Sequence, residues 1–222
     1  VMRSSTASWP IAGTADSSSS KTRTAKIVLR IINSPWTLTK NEMTVQKIWI
    51  QDKTFDISGT GYRLRGEYFV NGKKVDTKGE KTLNLLLKSA VLCNNSVINN
   101  VKGKQVVVGD PTEASLIVAG AKAGIWKEDL EKEEERIEEV PFTSERKIMA
   151  TVNKDKKNKY AYVKGAPEFV LEKCKYIEKN GLRKKLSKKE KKEILKKNKE
   201  FATSAYRVLA FAYKKASNPL TP

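Results

Sequence analysis

Histidine is missing from all 222 residues of this chain. Its absence excludes imidazole acid–base catalysis, Ser–His nucleophile pairs and histidine metal ligation. Only two cysteines occur, Cys93 and Cys174. Two thiols cannot complete a zinc or iron–sulfur site and make no disulfide framework, so a reducing compartment is the simpler reading. Long apolar runs are also missing. The best stretch, Ile27 to Ile32, is short and broken by Arg30, whereas a membrane-spanning helix needs about 20 residues. No basic segment leads into an apolar one as in a signal peptide. Acid is scarce relative to base: 25 Asp and Glu stand against 44 Lys and Arg, for a formal net charge of +19. Such an excess suggests a polyanionic partner, which composition leaves open among nucleic acid, an acidic membrane face and the phosphates of a nucleotide.

What is present suits one large domain or two small ones. Hydrophobic residues make up 39% of the chain, with 4 Trp, 7 Tyr and 6 Phe to fill a core. Val1 to Arg23 is rich in Ser, Thr and Ala and has no periodicity, so it reads as a disordered lead-in. Lys26 to Ile32 has the composition of one strand, and Pro35 then biases Ser34 away from helix. From Thr37 onward helices and strands are interspersed. Val45–Ile50 alternates like a strand, and Glu67–Val75 reads as a hairpin turning at Asn71-Gly72. Lys81 to Val97 carries apolar residues at helical spacing. Gln105–Val108 reads as a strand, and Asp110-Pro111 as the cap and first residue of a helix running to Gly124. Arg136–Phe142, Lys147–Val152 and Tyr160–Lys164 read as strands. Pro167–Cys174 reads as a short helix, Ser187–Glu190 as a capping box opening a helix to about Tyr206, and Arg207–Tyr213 as a last strand. No regular βαβ repeat runs through this pattern, so an α+β (mixed α/β) fold with helices against a mixed sheet is expected. Residues 128–139 hold eight acids and two bases, and residues 183–200 hold ten bases and three acids. Each block reads as a solvated helix face. Aromatics are not interleaved through the basic block, as a stacking platform for single strands would require.

Familiar phosphate loops fail on inspection. No G-x-x-x-x-G-K-[ST] occurs, and Gly59-Thr60-Gly61 is followed by Leu64 where a dinucleotide loop needs glycine, so both glycines read as turn residues. Three other segments hold chemistry. In Lys164-Gly165-Ala166-Pro167-Glu168 a lysine ends an apolar strand, and two small residues leave room for a planar ligand to approach the backbone. The plain alternative is an ordinary strand–turn–helix join. In Pro141-Phe142-Thr143-Ser144-Glu145-Arg146-Lys147 an aromatic lies beside a polar turn and two cations, which suits a base over Phe142 and phosphate at Lys147. The alternative is a core Phe at a strand end. In Gly109-Asp110-Pro111-Thr112-Glu113 the carboxylate either suits the helix dipole or accepts from an exocyclic amine.

Together and in order, GDPTEA, PFTSERKIM, VKGAPE and RVLAFAY resemble the nucleotide-binding (N) domain of P-type cation-transporting ATPases, in the calcium-pump-like branch. Thr37-Leu38-Thr39-Lys40-Asn41-Glu42-Met43-Thr44 is similar to the sequence after that family's phosphorylation motif, and Leu92-Cys93-Asn94-Asn95 also has the family look. The resemblance covers about residues 37–215. It implies a mostly antiparallel twisted sheet flanked by helices. By position, Phe142 would stack on adenine. Lys164 would line the adenine and ribose pocket, with Gly165 and Ala166 as its close-packed wall. Glu113 would hold the adenine side with Thr112 beside it. Lys147 and Arg207 would meet phosphates, and Arg146 matches the motif without an assigned contact. The implied ligand is ATP as Mg-ATP, the metal carried by the nucleotide with no protein metal site here. The implied partners are the phosphorylation and actuator domains of the same pump, which would be an ATP-hydrolysing cation translocase.

The family motif D-K-T-G-T-L-T is not intact. Asn33 stands at the phospho-acceptor position, and its amide is not the carboxylate nucleophile that step requires. The expected organisation is therefore an unmatched leader (1–36), a remnant of the hinge after the motif (37–44), the nucleotide-binding domain (45–215) and a tail (216–222). The chain is expected to be a soluble fragment, cytoplasmic-facing in the parent pump, that binds ATP without turning it over and whose contact with the membrane would run only through segments it lacks. No nucleic acid is expected. Lys164→Ala and Phe142→Ala are each expected to weaken ATP binding and leave the domain folded. Two rival functions are a basic nucleic-acid-binding module built on residues 183–200, and a free-standing ATP-binding regulatory domain.

Overall fold

Strand forms where apolar residues alternate, and helix where they recur every three or four positions. The computed structural model describes residues 27–33 as backbone, and residues 42–50, 53–179, 181–203 and 206–216 with side chains. Asn33's side chain, the hinge segment 37–41, residues 1–26 and the tail from 217 lie outside the described residues. The elements are β1 (Ile27–Asn33), β2 (Met43–Ile50), β3 (Lys53–Ile57), β4 (Tyr68–Val70), β5 (Lys73–Val75), α1 (Lys81–Leu92), β6 (Val97–Val101), β7 (Lys104–Val108), α2 (Pro111–Lys122), α3 (Lys127–Glu133), β8 (Glu135–Val140), β9 (Ile148–Lys154), β10 (Lys159–Gly165), α4 (Pro167–Glu172), β11 (Tyr176–Lys179), β12 (Leu182–Lys185), α5 (Lys188–Thr203) and β13 (Tyr206–Ala216).

Nine strands form one sheet in the order β5-β4-β3-β2-β1-β13-β10-β9-β8, and β6–β7 and β11–β12 form separate hairpins. Every pair among the described strands is antiparallel, so the mixed sheet expected from the interspersed pattern resolves to an antiparallel one. The β4–β5 hairpin turns at Asn71 and Gly72, with φ of 50° and 75°, as the sequence predicts. The backbone of β1 lies between β2 and β13, and its last residue, Asn33, pairs with Met43.

Both faces of the sheet are covered. On one, α1 (Leu83, Leu86, Leu87, Ala90) and α2 (Leu116, Ala119) pack over β2, β3, Tyr68 and Phe211. On the other, α4 (Val170, Leu171) and α5 (Ile194) pack over Ala210, Ala212 and Trp49. Each fully buried Leu, Ile or Phe contributes about 1.5–3 kcal/mol. In β2 the core residues switch from odd positions (Met43, Val45) to even ones (Ile48, Ile50). The cause is a bulge: Ile31 pairs with Val45 and Arg30 with Lys47, so Gln46 is the extra residue and the pleat changes phase there.

Three expectations change. Helix α1 stops at Leu92, five residues short of Val97, because Cys93 leaves helical geometry (φ −85°, ψ 64°). The acidic block is not one solvated helix face: its first half is α3, and its second half, with Glu135, Glu138 and Glu139, is the edge strand β8. The predicted strand from Lys147 begins at Ile148, since Lys147 sits in a turn with φ 53°.

Candidate functional site

The antiparallel register brings the end of β10 and the start of β13 close to the start of α2. Asp110 caps α2, its Oδ1 accepting from the amides of Thr112 (2.8 Å) and Glu113 (3.3 Å). That cap fixes the first turn and aims both side chains back toward the sheet. Glu113 Oε1 then accepts from Lys164 Nζ at 2.5 Å, and Arg207 Nη1 donates to Thr112 Oγ1 at 2.6 Å. Four of the expected site residues, from three separate elements, are thus joined in two direct contacts.

The Lys164–Glu113 pair is nearly out of water, with side-chain exposures of 8% and 15%. Lys164 shares a face of β10 with Tyr162, whose hydroxyl donates to Glu134 (2.6 Å). Burial, and then Glu134, push the Tyr162 hydroxyl up. Beneath lies Cys93, whose thiol burial raises to about 11 while the Lys164 ammonium pulls the other way. Cys93 is therefore a neutral core residue at ordinary pH.

Around the Glu113 carboxylate stands a polar cluster that sequence reasoning did not assign. The Asn95 amide donates to Glu113 Oε2 (2.7 Å), and Asn94 Nδ2 donates to the Glu113 carbonyl (2.9 Å). Arg136 donates to Asn95 Oδ1 (2.5 Å), to Glu139 Oε2 (3.2 Å) and to the carbonyls of Leu92 (2.8 Å) and Asn94 (2.5 Å). Lys127 Nζ donates to the carbonyls of Asn94 (2.9 Å) and Ser96 (3.0 Å), and burial lowers its pKa. The Leu92–Asn95 motif was the visible signal. Arg136, 41 residues beyond Asn95 in the chain, carries none that a single sequence exposes.

The remaining expected residues lie on the β8–β9 connection and the end of β10. The Lys147 amide donates to the Thr143 carbonyl (2.8 Å), and the Lys147 carbonyl accepts from the Ala166 amide (3.0 Å). The loop carrying Phe142 is thereby tied to the wall formed by Gly165 and Ala166. A Cβ built on Gly165 would lie 2.3 Å from the Lys147 carbonyl oxygen, so only glycine allows this approach. Arg146 turns inward to close the loop, its guanidinium donating to the Pro141 carbonyl (2.7 Å) and its amide to Thr143 Oγ1 (3.2 Å). Phe142 is 55% exposed. All six phenylalanines are among the described residues, and it is the one left exposed.

The arrangement offers an anchored ammonium, a side-chain-poor backbone edge and an open aromatic face. Among the described residues no cluster of acidic or thiol side chains is arranged for a metal, and no helix is long and apolar enough to cross a membrane. The basic block divides between β12 and α5. There Ile194 and Phe201 face inward, Ser187 and Glu190 form the expected capping box, and most of the lysines face solvent.

Comparison with known proteins identifies the family. The family described as P-type ATPase, cytoplasmic domain N, matches residues 82–221. A calcium-transporting ATPase of Bacillus subtilis is 36% identical over 188 residues, which is 84% of this chain and 21% of that protein. A calcium-transporting ATPase of Bacillus cereus is 37% identical over 178 residues, covering 80% of this chain and 18% of the relative. The cation-transporting ATPase pma1 of Synechocystis is 38% identical over 143 residues, covering 62% and 16%. The chain thus spans about a fifth of the length of these relatives. With its antiparallel sheet, flanking helices and family match over most of the patterned sequence, the chain belongs to the P-type ATPases, as their cytoplasmic domain N.

Proposed function

We propose that this chain binds ATP, as Mg-ATP, and that in a full-length cation pump it presents the γ-phosphate to a separate phosphorylation domain. The observation that carries the reading is the exposed Phe142 ring on a loop fastened to Gly165 and Ala166, one residue beyond the anchored Lys164 ammonium. A solvated phenyl ring on a tethered loop offers an open face on which an adenine can stack. In this reading adenine stacks on Phe142, and Lys164, with donors left beyond the one given to Glu113, meets the adenine and ribose edge. Glu113 holds that ammonium in place, and its spare lone pairs remain for an exocyclic amine. Lys147 and Arg207 meet phosphate oxygens, and Arg146 holds the loop shape. The magnesium ion, which offsets phosphate charge, travels with the nucleotide.

Phosphoryl transfer in such a pump depends on positioning and charge neutralisation. Turnover is not expected from this chain alone, because the amide of Asn33 stands where the nucleophilic carboxylate is needed. One ring stack contributes about 0.5–1.5 kcal/mol beyond burial. Two or three partly solvated phosphate contacts add about 1 kcal/mol each. After the association cost, a Kd of roughly 0.1 to a few mM follows. The names of the relatives point to calcium or another cation as the transported ion, and the phosphorylation and actuator domains are the proposed partners.

Calorimetric titration of ATP into the chain and its Phe142→Ala variant tests the proposal. The variant should bind about 2- to 10-fold more weakly with an unchanged melting temperature. Equal affinity would remove the proposed pocket.

A further inference from the structure

We infer that Asn95 and Arg136 form a positioning relay, which fixes the Glu113–Lys164 pair relative to the strand that carries the Phe142 loop. The inference rests on the nucleotide reading above and assigns a task to residues which that reading leaves unused. Asn95 is exposed, yet its polar groups are engaged on three sides. Its backbone N–H, which an alanine would keep, holds Glu113 Oε2 (2.7 Å), while its side-chain Oδ1 accepts from Arg136 (2.5 Å) and its Nδ2 donates to Glu139 Oε1 (2.8 Å). Arg136 closes the triangle on Glu139 Oε2 (3.2 Å) and anchors it to the end of α1 through the Leu92 and Asn94 carbonyls. Its Nε is buried without a hydrogen-bond partner. The guanidinium is therefore oriented by Asn95, Glu139 and the carbonyls, at the cost of one unsatisfied donor.

The two ends of this triangle are the two halves of the proposed site. Glu113 holds the Lys164 ammonium on one side. Glu139 lies on β8, three residues before Phe142, on the other. Asn95 spans the gap as the shared partner of both carboxylates. The backbone already ties the Phe142 loop to Gly165 and Ala166; the relay adds a side-chain link that restrains the Glu113 carboxylate, and through it the ammonium, against β8. Arg136 supplies the positive charge that lets Glu139 stand in this cluster. Neither relay residue needs to touch the nucleotide. Their effect is to hold an ammonium and a ring at one spacing, which matters to a ligand that uses both.

The test compares ATP and adenosine with inorganic tripolyphosphate as probes, titrated into the full chain and followed by amide chemical shifts. Asn95→Ala is the principal variant because its side chain is exposed and the fold does not depend on burying it. Arg136→Ala is the second, with thermal melts reporting whether it folds. Asn95→Ala should weaken ATP and adenosine by about three- to tenfold. It should leave tripolyphosphate, which reaches only Lys147 and Arg207, unchanged, and keep the melting temperature within a degree or two. In the Asn95→Ala/Phe142→Ala double variant the losses should add to less than their sum, because the relay acts through the ring's position. Equal weakening of tripolyphosphate would mark a general structural role and overturn the relay, as would additive losses. Wild-type binding of ATP with unchanged affinity in Asn95→Ala would overturn the relay alone. Failure of the wild-type chain to bind either adenosine ligand would overturn the nucleotide reading and the relay with it.

Discussion

The two halves of the candidate site are built on opposite plans. The Lys164–Glu113 half is buried, paired and braced: two charges lie within 2.5 Å, the Asn95 backbone N–H holds the carboxylate, Asn94 holds the Glu113 carbonyl, and Arg136 holds Asn95. The Phe142 half is open, a residue 55% exposed on a loop held by backbone hydrogen bonds. A buried pair loses much of its Coulomb gain to desolvation, so it is a poor device for stability alone but a good one for holding an ammonium at a fixed place. An exposed ring contributes little to the fold and keeps its face for a ligand. Positioning is thus built into one half, and binding surface is left free on the other.

That contrast is tested most strongly by removing the ammonium. Lys164→Ala leaves the Glu113 carboxylate buried without its partner and should cost about 3 kcal/mol or more, a fall in melting temperature of about 6–12 °C for a domain of this size. The sequence alone suggested that this variant leaves the domain folded and weakens only ATP binding. Burial of the pair adds the stability cost. Adding Glu113→Gln to Lys164→Ala should recover part of the loss, because the uncompensated charge is gone. A melt of the double variant no better than that of the single one would show that the pair is not coupled as the geometry indicates.

Gly165→Ala comes next. The new Cβ would meet the Lys147 carbonyl oxygen at 2.3 Å and Ile148 Cα at 3.0 Å, and neither is the far end of a flexible side chain. A loss of about 1–3 kcal/mol in denaturant unfolding is expected. It should be accompanied by weaker ATP binding, because the displaced segment is the one that fastens the Phe142 loop. A neutral result would detach the loop from the wall.

The smallest effect should lie far from the site. Glu190 accepts from the Ser187 amide and from Lys179, which together hold its carboxyl down at about 2 against an ordinary 4.5. Its folded-state value lies below the unfolded one, so its contribution is present above about pH 4.5 and is lost as pH falls toward 2. Glu190→Gln should flatten the acid limb of the melting curve slightly and leave ATP affinity at neutral pH unchanged. A change in ATP affinity would tie α5 to the site.

Much of this fold was legible because its signals are local. The Asn71-Gly72 turn, the Asp110-Pro111 helix start and the Ser187–Glu190 box each specify an element over two to four residues, and each is present. Other features were not legible, for different reasons. Val97–Val101 contains two asparagines with poor strand propensity and forms β6 by pairing with β7. The early end of α1 rests on backbone geometry at Cys93 and on carbonyls that accept from Arg136, which is remote in sequence. Of the site, the residue types in the family-like motifs were visible. The Glu113–Lys164 pairing was not, because 51 residues separate the two and no single sequence shows which charges meet.

The central claim is that adenine lies on Phe142 beside Lys164. Nuclear Overhauser contacts between ATP and a selectively labelled chain test it directly. The account predicts contacts from the adenine protons to the Phe142 ring and to the Lys164 side chain in the same complex. Contacts from adenine to the lysines of α5, with none to Phe142, would contradict it.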